Sequence, residues 1–272
     1  MSNIVAEMIL TELILLKVLL GGIFGFCLGL TGVGGGVLLI PMLQLFCGMS
    51  TVLAVGTASL ISAMVKINAS IVHVKASNVS WRQVRLLFIG AVPVTILVTQ
   101  IVVYFNQHPN YGQLTQSLIS MLVIVVMVSS LLSVIYGAKK TVSSGVAGAG
   151  TCSDVKPVKA VLSGAFCGSV LGSTGVGGGV LLLPVLNNVL KLDIKKSIGS
   201  SVVLALFLSA TAAIGYAKGG QADSATAIWF VVGSFVGVPL SAWVLKRMTT
   251  RAIYAVTLAV ITISLVMFVF VG

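Results

Sequence analysis

Thr31-Gly32-Val33-Gly34-Gly35-Gly36-Val37-Leu38-Leu39 returns letter for letter from Thr174 to Leu182, and in both places one apolar residue and a proline follow, Pro41 and Pro184. The copies begin at 31 and at 174, an offset of 143 residues in a chain of 272. Self-similarity at about half the chain length marks a duplicated protein with one glycine-rich element in each half. Residues without a Cβ take positive φ freely and let a backbone approach a ligand or another backbone, so each cluster is a place where a helix is interrupted.

The surroundings of the two clusters are apolar. Hydrophobic residues make up 58% of the chain, charged ones 8%, and the mean hydropathy is +1.16. Such a balance excludes a soluble domain of this size and gives an all-α polytopic membrane protein. The 16 Lys and Arg residues, against 5 acids, yield a net charge of +11. They sit in short loops beside apolar runs and act as topology signals, so no nucleic-acid partner is expected. The N-terminus has no basic n-region and carries Glu7 and Glu12, so it reads as retained. Cys27, Cys47, Cys152 and Cys167 show no C-x-x-C spacing and receive no metal or redox role; no cofactor is expected.

Runs long enough to cross about 30 Å of hydrocarbon extend from Leu53 to Val74, Val84 to Phe105, Leu114 to Tyr136, Ile198 to Ala217, Ala225 to Leu245 and Ala252 to Val271. Two further stretches, from Ile9 to Cys47 and from Val158 to Leu190, are cut by the glycine motif, and their second pieces are too short to span alone. Each half is therefore a broken, re-entrant-like hairpin followed by three transmembrane helices. Residues 1–136 form the first repeat and 158–272 the second, with the Gly/Ser-rich stretch 137–157 as a cytoplasmic linker.

Loop charge orients the halves. In the first, the turn after the hairpin has no cation, the next loop has Lys75, Arg82 and Arg85, and the third has none. In the second the order inverts: Lys191, Lys195 and Lys196, then only Lys218 beside Asp223, then Lys246, Arg247 and Arg251. Cytoplasmic loops collect Lys and Arg, and an odd number of spans per half also demands opposite orientations. The expectation is two inverted repeats with both termini extracytoplasmic. An interrupted element at the same place in each of two inverted repeats is the pattern of a secondary transporter, and a duplicated channel is the alternative.

Two readings of the glycines stand side by side. One is close helix packing, the reading favoured for the spaced Gly21, Gly25 and Gly29. The other makes the clusters an anion cradle, with the N–H groups and positive ends of two short helices meeting at one midplane site. None of the five acids lies deep in a predicted span, which argues against a cation path. Lys66 lies inside a span and reads either as snorkelling to the cytoplasmic face or as facing substrate. Candidate substrate contacts are Thr31, Gly32, Gly34, Gly35, Gly36, Thr57, Ser59 and Lys66 in the first half, and Thr174, Gly175, Gly177, Gly178, Gly179, Ser200 and Ser201 in the second. Pro41 and Pro184 are expected to shape the short helices. His73 and His108 are isolated and receive no role. No H-E-x-x-H, intramembrane aspartate pair or Ser/His dyad points to an enzyme.

Two copies of T-G-V-G-G-G-V-L-L-x-P in a chain of this length and hydropathy resemble the sulfite exporter TauE/SafE family of anion permeases. The resemblance covers essentially the whole chain. It implies a permease of the inner or plasma membrane that carries sulfite, thiosulfate, organosulfonates or related small anions, the named alternatives being an anion channel or a carboxylate carrier. Its partners would be that anion, the lipid bilayer and further copies of the chain. The position 143 residues after Lys66 is Ser209, so any charge at this place is carried by one half alone.

Overall fold

The computed structural model describes residues 2–31, 36–143, 157–175, 178–192, 194–245 and 247–271, and among them there are helices and no strands. In chain order these are α1 (Ser2–Thr31), α2 (Gly36–Cys47), α3 (Thr51–Lys75), α4 (Trp81–Gln107), α5 (Gly112–Ser143), α6 (Pro157–Thr174), α7 (Gly178–Pro184), α8 (Ile194–Lys218), α9 (Ser224–Leu245) and α10 (Thr250–Val271). Among the described residues, six stretches are long and apolar enough to cross a membrane. Five lie in α3, α4, α5, α8 and α9, where crossing runs are expected. The sixth is Thr11–Leu30 in α1, whereas the apolar part of α10 is the shorter Ala255–Phe270. The first arm of the first hairpin thus has crossing length, and its second arm, α2, has only 12 residues.

One boundary differs from expectation. Helix α5 continues to Ser143, into the stretch read as linker, because Ala138, Lys139 and Lys140 favour helix and Gly137 alone does not stop one. Residues 144–156 lie outside the described residues.

Glycine and proline mark the ends of the short helices. Gly175 has φ of 62° and its N–H donates to the Leu171 carbonyl at 2.8 Å, a left-handed cap that closes α6. Pro184 ends α7, and the chain widens into a π-helical turn over Val185–Val189, closed by the Leu190 N–H on the Val185 carbonyl at 3.0 Å. A proline cannot donate to the carbonyl four residues back, so the local register must change. Pro41 lies inside α2, which runs on as a helix to Cys47.

The tertiary contacts are exchanged by the sequence offset. Helix α1 packs along α9, and α6 packs along α4. A Cβ on Gly21 would stand 2.2 Å from the Phe230 carbonyl oxygen, and one on Gly164 would stand 2.3 Å from that of Leu87. Gly25 meets Ser234 at 2.7 Å, and Gly168 meets Ala91 at 2.3 Å. In the reverse direction Gly233 meets Val18 and Gly90 meets Val161. Every pair maps onto its counterpart by shifting one residue forward and its partner back by 143 positions, which is the rule of an isologous two-fold contact. Absent side chains let these backbones touch, so Gly21, Gly25 and Gly29 do serve packing.

Helices α3 and α8 form the centre, with more than half of each apolar window buried (56% and 61%) against 28% for α1 and α5. They run antiparallel. The Asp223 N–H donates to Thr57 Oγ1 at 3.0 Å near one end, and the Ser80 N–H donates to Ser200 Oγ at 2.9 Å near the other. These two bonds are counterparts as well. The outward faces carry Leu15, Leu97, Met121, Phe166 and Val236, all exposed. Lipid tails accept such a surface without penalty.

Candidate functional site

A cavity of about 520 Å³ lies between α1, α3, α7, α8 and α9. Its wall on α3 runs from Met64 through Lys66, Asn68 and Ala69 to His73, and on α8 from Ile198 through Ser201 and Val202 to Ala205. The cavity therefore reaches from the middle of the α3/α8 pair to the end where α3 finishes and α8 begins. Leu28 and Gly29 of α1, Leu183 of α7, and Val231, Ser234, Phe235, Val238 and Pro239 of α9 close the remaining sides. Among the described residues, none that lines it is acidic.

Lys66 is the cation of this wall. It is buried, and its Nζ donates to Ser62 Oγ, one turn back along α3, and to Ser209 Oγ at 3.4 Å across the α3/α8 contact. The amine turns away from the nearer end of α3, the direction that the substrate-facing reading requires. The two hydroxyls accept from it without neutralising its charge, and among the described residues no acid pairs with it, which makes the buried cation costly.

At the opposite end of α3 and α8 several residues at the corresponding positions are buried. Tyr216, the counterpart of His73, is fully buried and donates its OH to the Gly172 carbonyl at 2.7 Å. Thr99 donates to the same carbonyl at 3.4 Å, and Thr95 donates to that of Gly168 at 3.0 Å. Ser59, Ala58, Ala91, Leu171 and Leu208 are also buried there. At this end Lys17 Nζ donates to Thr226 Oγ1 at 2.7 Å, and Thr226 donates its hydroxyl and its N–H to the Asp223 carboxylate at 2.5 and 3.1 Å. Partial burial pushes the Asp223 carboxyl up, but the Thr226 hydrogen bonds and the Lys17 charge outweigh it and hold the group below the usual carboxylate range.

The sequence candidates separate by place. Lys66 and Ser201 line the cavity. Thr57 and Ser200 lie outside its lining and hold the Asp223 and Ser80 backbones instead. Ser59 and Thr174 back-bond to the Val55 and Val170 carbonyls. The Gly175 N–H is taken by its cap, and a Cβ there would meet Ser59 Oγ at 2.9 Å. Gly36 opens α2, while Gly178 and Gly179 open α7. Gly32, Gly34, Gly35 and Gly177, and the side chain of Thr31, lie outside the described residues. His73, Asn68 and Ser234 line the cavity without having been singled out for substrate. Helix spacing offered a signal for one of them: His73 follows Lys66 by seven positions, two turns along the same face.

The family model described as sulfite exporter TauE/SafE matches residues 17–268. A probable membrane transporter protein of Bacillus subtilis, YjnA, is 24% identical over 253 residues, covering 91% of this chain and 96% of its own length. A probable membrane transporter protein of Haemophilus influenzae is 29% identical over 204 residues, 72% of this chain and 70% of its own. A second Bacillus subtilis protein of the same description, YunE, is 24% identical over 247 residues, covering 87% and 90%. No solved structure matches the chain.

Proposed function

The chain belongs to the sulfite exporter TauE/SafE family of membrane transporters, and we propose that it is a permease for small sulfur-containing anions, such as sulfite, thiosulfate and organosulfonates, working by alternating access. The observation that carries this reading is Lys66 in the wall of a cavity with no acidic lining residue, at the contact between α3 and its own counterpart α8. A lysine at the centre of a membrane helix costs about 2.5–3.5 kcal/mol to insert. An anion entering the cavity would provide the missing countercharge, and a cation would meet repulsion.

The two halves, 1–136 and 158–272, are inverted across the bilayer in this reading. The antiparallel α3 and α8, the exchange of contacts at the 143-residue offset and the inverted loop charges support it. Both termini would be extracytoplasmic, the linker and the open end of the cavity would face the cytoplasm, and the protein would reside in the cell membrane, alone or with further copies. The glycine elements from Thr31 to Gly36 and from Thr174 to Gly179 would reach the axis from opposite sides, with Thr31 and backbone N–H groups of the clusters joining Lys66 and Ser201 around the anion. Ser59 beside the second element would hold its tip, and Thr57 and Ser200 would fix the frame.

The test is direct binding of sulfite, thiosulfate, short sulfonates and short carboxylates to the purified protein by calorimetry. Saturable binding of the sulfur anions that Lys66→Gln weakens supports the reading. Binding of carboxylates alone would replace the substrate, and binding of none would remove the site.

A further inference from the structure

Two residues that the anion-binding reading does not use sit at counterpart positions, His73 on α3 and Tyr216 on α8, and their surroundings differ in one informative way. Tyr216 donates its hydroxyl to the carbonyl of Gly172 at 2.7 Å. Gly172 lies in the last turn of α6, where helix carbonyls have no partner within the helix and accept readily. Shifting each residue of this bond back by 143 positions gives His73 and Gly29. Gly29 occupies the same place in the last turn of α1. Both His73 and Gly29 line the cavity, and His73 Nδ1 is buried without a hydrogen-bond partner. The bond made at the closed end is thus absent at the open end, while the groups that would make it stand across the opening from each other.

Resting on the permease reading, we propose that Tyr216 and His73 are the gate residues of the transport cycle, each latching a hairpin arm to a central helix in one of its two states. In the state described here Tyr216 ties α8 to α6 and shuts the far end. In the opposite state that latch opens, and His73 donates a ring N–H to the Gly29 carbonyl, tying α3 to α1 and closing the cavity. The exchange leaves Lys66 and Ser209 at the contact between α3 and α8 throughout. Both acceptors leave little room for a side chain: a Cβ on Gly29 would meet Ser241 Oγ at 1.7 Å, and one on Gly172 would stand 3.1 Å from the Thr95 carbonyl oxygen.

The experiment uses the full chain in oriented membrane vesicles, with its four cysteines replaced by alanine and Ala69→Cys as a reporter in the cavity wall. The rate of labelling by a membrane-impermeant maleimide reports how often the cavity is open. Tyr216→Phe removes one hydroxyl and should slow labelling by about two- to tenfold, the worth of one buried hydrogen bond. His73→Tyr supplies the counterpart's donor and should also slow it, while His73→Phe, which cannot donate, should leave it unchanged or faster. An unchanged rate in Tyr216→Phe, or the same change in His73→Tyr and His73→Phe, would overturn the proposal. The three variants are read independently, so poor insertion of one leaves the others decisive. Exchange of radiolabelled sulfite by the unsubstituted protein is measured in parallel: its absence would strike the permease reading, whereas normal exchange with unmoved labelling rates would strike the gates alone.

Discussion

Lys66 and Ser209 stand 143 positions apart, the offset of the two nonapeptides, and Lys66 Nζ lies 3.4 Å from Ser209 Oγ. A residue can touch its own counterpart only beside the axis that relates the two halves. The charge of Lys66 therefore sits where both halves meet, and it is supplied by one half only. In a carrier whose halves exchange roles, that is a position reachable from either side.

The first prediction concerns this charge. Lys66→Gln keeps a hydrogen-bond donor and removes the cation, and a hydrogen bond to a charged group contributes about 1.5–3 kcal/mol. Anion affinity should fall roughly ten- to hundredfold while membrane insertion is unchanged, as measured by titration calorimetry on the purified variant. Ser209→Ala, which removes one acceptor and no charge, should have the smaller effect.

Packing gives a paired prediction. Gly21→Ala and Gly164→Ala drive a methyl group into backbone carbonyls at equivalent places, so both should lower the thermal unfolding midpoint in detergent, by similar amounts and at a cost of about 1–3 kcal/mol. Gly22→Ala has 3.6 Å to the Gly233 carbonyl and should be neutral or mildly stabilising. Unequal effects at 21 and 164 would contradict the exchange of contacts.

The Asp223 network predicts a pH dependence with a definite sign. Its carboxyl is held below the usual carboxylate range, so folding binds the deprotonated form, and the stabilisation is present above the unfolded value of about 4. It is lost as pH falls through the lower folded value. Thermal stability of the wild type should drop in that acid window, and Asp223→Asn should show a smaller drop there and a lower midpoint at neutral pH.

Orientation is testable with one counterpart pair. Lys75 and Lys218 are 143 positions apart, both exposed at the C-terminal ends of α3 and α8. In a background without native cysteines, Lys75→Cys should label from the cytoplasmic side and Lys218→Cys from outside. Labelling of both from one side would remove the inversion.

Much of this architecture was legible because duplication is written in identical letters and apolar length in composition. Five crossing runs and both short second arms could be read from the chain, and the spaced Gly21, Gly25 and Gly29 announced a close helix contact. What could not be read was which hydroxyls face the cavity. Ser200 and Ser201 are adjacent, yet Ser200 holds the Ser80 backbone and Ser201 lines the wall, a difference of one 100° step around α8. His73 looked isolated because its counterpart is a tyrosine, and only the bond from Tyr216 to Gly172 gives that pairing a meaning. The end of α5 is not legible in the sequence, because residues that continue a helix well lead directly into the weak helix formers of the Gly/Ser-rich stretch.

Counterflow in proteoliposomes tests the central claim most directly. Vesicles preloaded with unlabelled sulfite should take up external radiolabelled sulfite faster than empty vesicles, saturably, and the Lys66→Gln protein should lose this stimulation. Uptake that is linear in concentration and indifferent to internal sulfite would show a channel, and no uptake above protein-free vesicles would contradict sulfite transport altogether.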